Sequence, residues 1–301
     1  MVPLVYCFVL VPLTIDMRLR IAHSIVHRYE PPAAGIIQVL RLTPRNHDGQ
    51  YVINWRIDVS GDARLNAHDD AFGNRTHVFA VDGPFAELGV TVEGEVETQN
   101  TDGVVRGTLE RFPPSLFLRS TALTEADDAM RDLARDLRTA DGVDTLARLH
   151  ALLHRVHELM ACEDDPARAP TATATAAEAF LRKRGDARDL THVFLSTARC
   201  LEIPARFVAG YLCGTAEPEQ DGDGGTDGDT HGVARGGAHS WAEAYVPRLG
   251  WVGFDTVHCV CPTEAYVRVA VGLDAFGAAP VRGTRYGVGE ESAAVAIKVD
   301  Q

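Results

Sequence analysis

The sequence predicts an α+β fold in two parts, an N-terminal antiparallel β-sandwich followed by a domain of helices and then strands. Three observations carry this. Residues 18–112 hold short clusters of β-branched and aromatic residues separated by turn signals. After Pro113-Pro114 the apolar spacing becomes helical, and past Ile203-Pro204 it returns to strand character. The chain of 301 residues, 46% apolar and 24% charged, is long enough for two cores.

In the first part the expected strands are Leu19-Ile21, Ile36 to Leu40, Tyr51 to Val59, Thr76 to Ala80 and Leu88 to Val92. Pro31-Pro32, Pro44, Asp48-Gly49, Ser60-Gly61, Gly73-Asn74 and Asp82-Gly83 punctuate them. Short strands at this spacing suggest a sandwich. His23, His27, His68 and His77 are scattered among them, and no nucleophile–base pair is evident. Helices are expected over 123–139, with Thr124 and Asp127 as a capping box, and over 144–160, 171–182 and 186–201. Strands follow at 207–212, 240–246, 250–255 and 266–271. The expected division is an extension at 1–16, a sandwich at 17–113, the second domain at 114–289 and a tail at 290–301.

Twenty-nine basic against forty-two acidic residues give a net charge of −13, which argues against nucleic-acid or anionic-membrane partners. The six cysteines, Cys7, Cys162, Cys200, Cys213, Cys259 and Cys261, include no CxxC pair and suit reduced thiols in the cytoplasm. The apolar start, MVPLVYCFVLVPLTI, is too short for a spanning helix and has no basic n-region; Met17 is the expected natural start. Residues 215–237 form an acidic, glycine-rich insertion without the ligand spacing of a calcium loop, so a solvated loop is expected.

A catalytic thiol needs a helix N-terminus to stabilise its thiolate, a histidine as base and a carboxylate or amide to orient that histidine. Three segments fit such a scaffold: Gly185-Asp186-Ala187-Arg188-Asp189-Leu190-Thr191-His192 with Ile203-Pro204-Ala205-Arg206-Phe207, then Ala238-His239-Ser240-Trp241-Ala242-Glu243, then Gly250-Trp251-Val252-Gly253-Phe254-Asp255. These resemble the transglutaminase-like superfamily, in its bacterial branch of cysteine peptidases. That family carries G-V-C-Q-D-(F/L)-(A/T)-H, G-I-P-A-R-(Y/F)-V, H-(A/S)-W-(A/V)-E and G-W-x-G-(F/I)-D. VLRLTPR (39–45) and DDAFGN (69–74) look like its preceding β-sandwich, and 261–287 looks like its C-terminal extension. The resemblance spans about 17–289 and implies a papain-like arrangement: a helix carrying position 187 packs on a sheet carrying His239 and Asp255. It implies a Cys-His-Asp triad attacking peptide amides, with no cofactor and no metal.

The triad fails at one position. His239 matches the base and Asp255 its orienting group, but the nucleophile position is Ala187, whose methyl forms no thiolate. Cys200 lies about 20 Å further along the same expected helix. The neighbours depart as well: V-C-Q reads Asp186-Ala187-Arg188, and F-D-P-(A/T)-N reads Phe254-Asp255-Thr256-Val257-His258. The expectation is therefore a catalytically inactive, regulatory or peptide-binding pseudoenzyme, with a peptide, a protein amide or an active paralogue as partner. The alternative is an active cysteine peptidase or amidase in which Ala187 was introduced or another thiol is recruited. His258, Cys259 and Cys261 raise the idea of zinc, but C-x-C is unusual for it and coincidence is the plainer reading. Trp241 and Trp251 fit either an acyl groove or the core, and His192 reads as a core residue.

Overall fold

The computed structural model describes residues 16–61, 63–138, 144–163, 174–214 and 236–301. The expected extension at 1–16, save Asp16, and nearly all of the 215–237 insertion lie outside them, as does Cys7.

Two long strands dominate the N-terminal part, β1 (Met17–Thr43) and β4 (Arg75–Thr98), paired antiparallel. Each absorbs two of the expected strands. Pro31-Pro32 and Asp82-Gly83 read as turns, but the chain stays extended through them. Proline lacks the N–H a ladder needs, so the pairing shifts register there, between Arg28, Ala33 and Gly35. On one side of this break β1 pairs with 87–98 of β4, whose other edge carries β2 (Gln50–Val59). On the other side it pairs with 75–85, whose outer edge carries β3 (Asn66–Asp69). Ile25, Leu88 and Val90 from one half share a core cluster with Ile36, Leu40 and Phe79 from the other. One antiparallel sheet thus carries the whole of this core cluster.

The second domain holds β5 (Val104–Val105), a 3-10 turn at Pro114–Leu118, α1 (Asp128–Arg138), α2 (Thr145–Leu159) and β6 (Ala161–Cys162). Then follow α3 (Ala176–Arg182), β7 (Arg184–Gly185), α4 (Ala187–Cys200), β8 (Ala205–Leu212), β9 (Gly237–Val246), β10 (Gly250–Phe254) and β11 (Tyr266–Gly272). Its sheet runs β11-β8-β9-β10-β5, all antiparallel. Helix α4 is buried from Asp189 to Arg199 and packs on β8 and β9, with α1, α2 and α3 around it. The cap of α1 differs from the capping box expected at Thr124. Asp127 Oδ1 accepts from Met130 N at 2.9 Å, while Thr124 Oγ1 accepts from the buried Arg199.

The chain's last segment returns to the first sheet. β12 (Val281–Tyr286) pairs with the second half of β1, and β13 (Glu290–Asp300) with the first half. The tail expected at 290–301 is therefore a strand. Its residues are mostly exposed and small, SAAVAI, so they carry little hydrophobic pattern.

Two buried carboxamides join the domains. Gln50 accepts from Arg268 N (2.7 Å) and donates to Arg268 O (2.9 Å); Asn74 makes the same pair of bonds to Val271, both at 2.8 Å. They satisfy the free edge of β11 as a neighbouring strand would. Leu19, Ile21 and Val96 of the sandwich enter the second domain's core.

Candidate functional site

Position 187 opens α4. Asp186 is the N-cap: its Oδ1 accepts from Arg188 N (2.9 Å) and Asp189 N (3.0 Å), and Asp189 Oδ2 accepts from Asp186 N (3.2 Å). The Arg188 guanidinium folds back onto Asp186 Oδ2 at 2.6 Å. The helix end that would stabilise a thiolate is thus occupied by the chain's own carboxylate, and its first residue is the half-buried methyl of Ala187.

β9 carries His239, and Asp255 follows β10 directly, fully buried. His239 Nε2 lies 2.7 Å from Asp255 Oδ2. The same oxygen accepts from Tyr266 Oη at 2.7 Å and faces His258 Nδ1 at 2.8 Å. Oδ1 accepts from Val257 N (2.8 Å) and His258 N (3.3 Å). Burial pushes the Asp255 carboxyl up. The hydrogen bonds and charges of His239 and His258 overcome that and hold it well below the usual carboxylate range. Its bond to Asp255 raises His258, against the effect of burial. Burial and then the Asp255 charge push the Tyr266 phenol far up, so it stays a donor.

His239, Asp255 and His258 form a trio of potential metal ligands within 4.8 Å of one another, the single such group among the described residues. Both imidazole nitrogens face one carboxylate oxygen that Tyr266 also occupies. Hydrogen bonds account for the arrangement, and an ion would have to displace them.

The strand that carries His239 is anchored by charge. Glu243, on the same face of β9, is fully buried between Arg206 (2.7 Å) and Arg268 (2.6 Å). Burial raises its carboxyl, but the two guanidiniums outweigh this and set it at about 2. Arg206 also lies 4.0 Å over the Trp251 ring and bonds Glu110 at 2.8 Å. Trp241 and Trp251 are both buried, packed on Tyr266 and Phe117 respectively, so they belong to the core. His192 is buried too, its Nε2 accepting from Ala275 N at 2.9 Å.

Of the residues the sequence singles out, His239 and Asp255 meet directly, while Ala187 lies on the helix packed against the strand of His239. Sequence reasoning missed Tyr266 and the bond of His258 to Asp255. No local pattern marks Tyr266, and the three-residue spacing after Asp255 is the one available signal for His258.

Residues 131–256 match the Transglutaminase-like superfamily, and residues 19–97 match the bacterial transglutaminase-like N-terminal region. The chain carries a transglutaminase-like domain behind that N-terminal region. The transglutaminase-like chain is 28% identical over 291 residues to ML0607, an uncharacterized protein of Mycobacterium leprae (strain TN), covering 94% of this chain and 98% of that one. It is 33% identical over 91 residues to the uncharacterized protein YebA of Bacillus subtilis (strain 168), 30% of this chain and 11% of that protein. Its fold is similar to a crystal structure described as "a Putative Cysteine Protease" from Cytophaga hutchinsonii, with a TM-score of 0.71 and 16% identity over 95% of this chain and 90% of that one.

Proposed function

We propose that this transglutaminase-like protein is a pseudoenzyme of the cysteine peptidase/amidase type, which binds a peptide or protein amide group without cleaving it. One observation carries the reading: the first residue of α4 is an alanine, under a carboxylate cap. Thiol acyl transfer forms a carbon–sulfur bond at the amide carbonyl, passes the thiol proton through the base to the departing amine, and then releases the acyl group to water. With a methyl at 187 the first bond has no atom to form it. The His239–Asp255 pair keeps its geometry, and with it the capacity to hold a polar group in the cleft. The cysteines include no CxxC pair, and the proposed compartment is the cytoplasm. The partner is a peptide segment or an active paralogue, held for regulation.

The test assays the unmodified chain and Ala187→Cys for peptide-amide hydrolysis and for labelling by a thiol-directed activity probe. No turnover is expected from either, because Asp186 opposes a thiolate at 187. Turnover by the unmodified chain that disappears in Cys259→Ser or Cys261→Ser would overturn the reading in favour of a recruited thiol. Labelling and turnover restored by Ala187→Cys would point to an intact catalytic site from which the thiol alone was removed.

A further inference from the structure

Helix α2 presents His150, His154 and His157 at spacings of four and three, one stripe on the helix surface. The stripe faces the loop after β10. His157 Nδ1 lies 3.2 Å from Thr256 O, His154 Nδ1 3.1 Å from Cys259 Sγ, and His150 Nε2 3.6 Å from Cys261 Sγ. The antiparallel bridge between Asp255 and Val260 and the left-handed Cys259 backbone (φ 56°) close this loop tightly and set both thiols against the helix. Neither thiol is in a disulfide.

We propose that His150, His154, Cys259 and Cys261 form a Cys2His2 site for a borderline-soft divalent cation, zinc. The donor set is the one structural zinc takes, and two histidines four apart on a helix chelate one ion. With Zn–S near 2.3 Å and Zn–N near 2.0–2.1 Å, the sulfur–nitrogen edge of the tetrahedron is about 3.6 Å; the Cys261–His150 contact matches it and the Cys259–His154 contact, at 3.1 Å, is shorter. The donors stand as two adjacent pairs, not as one cluster. Joining the pairs around one ion requires rotation of the exposed His154 and the half-buried Cys259, Cys261 and His150 side chains.

An ion here ties the loop carrying Asp255 and His258 to α2.

The experiment titrates the reduced, chelator-stripped protein with cobalt(II) and then zinc(II). One equivalent of cobalt is expected to give tetrahedral visible bands and a near-ultraviolet sulfur-to-cobalt charge-transfer band, both bleached by zinc. Cys259→Ser with Cys261→Ser abolishes the charge-transfer band, and His154→Gln weakens binding by about tenfold or more. The single substitution at the exposed His154 leaves the fold in place, checked by circular dichroism. Stoichiometric cobalt binding without a sulfur band would overturn the proposal. So would binding that survives the double serine change but is lost in His239→Gln, since the ion would then sit on the His239–Asp255–His258 trio. Absence of any binding would overturn it as well. None of these readouts depends on turnover, so this proposal and the pseudoenzyme reading fail separately.

Discussion

Asp255 takes five hydrogen bonds on a fully buried carboxylate. Asp255→Ala would leave the Tyr266 hydroxyl and two imidazoles facing no acceptor, and is expected to cost about 3–5 kcal/mol in urea unfolding. The pH dependence follows from the shifted groups. Asp255 has a depressed folded pKa, so its contribution is complete above the unfolded value near 3.9 and is lost as pH falls toward the folded value. His23, His47 and His192 are lowered by burial to about 4. The unfolded chain therefore binds their protons first, and stability falls as pH drops from about 6.5 to 4. His258 works the other way. Its raised pKa adds stability that is complete below about 6.5 and is lost as pH rises through the folded value. Below about pH 6.5 the His258 contribution is constant and the buried histidines give a net loss on acidification; His258→Gln should abolish the gain seen as pH falls toward 6.5 and leave the slope below it unchanged. Unfolding midpoints measured from pH 7.5 to 4.5 check both signs.

At the scale of elements, the start of α4 decides whether the site can be revived. In an Ala187→Cys background, Asp186→Asn keeps a good N-cap while removing the charge next to the thiol. The thiol pKa, read from the pH dependence of alkylation, should fall relative to Ala187→Cys alone. Stability should change little, whereas Asp186→Ala should cost about 1 kcal/mol. This helix was legible in the sequence because Leu190, Val193, Phe194 and Ala198 repeat at helical spacing, and α2 for the same reason. The pairing of His239 with Asp255 was legible through the motif resemblance. The stripe of histidines on α2 was not, since His150 and His154 gain meaning only from a loop about a hundred residues later. The same holds for Thr124, which looked like a local cap and is instead a partner for Arg199.

For the whole molecule, Gln50 and Asn74 do from the sandwich what a further strand would do for β11. Asn74→Ala strips a buried N–H and C=O of Val271 of their partner and should cost about 1–3 kcal/mol. The two domains share a core through Leu19, Ile21 and Val96, so they should unfold together. The fluorescence of Trp55 in one domain and of Trp241 and Trp251 in the other should report one midpoint, coincident with circular dichroism. Neither the carboxamide clamps nor β12 and β13 could be read locally, because each draws its role from a partner on the far side of the chain.

The pairing of β1 with β13 sets the order of events during synthesis. Arg20 lies opposite Asp300, so β1 has one long edge uncovered until β12 and β13 have been made. The nascent protein must carry an open, sticky border until those two strands emerge. Ribosomes stalled before codon 290 would hold chains whose border recruits other chains, and a chaperone that shields extended segments would bind there until β13 displaces it.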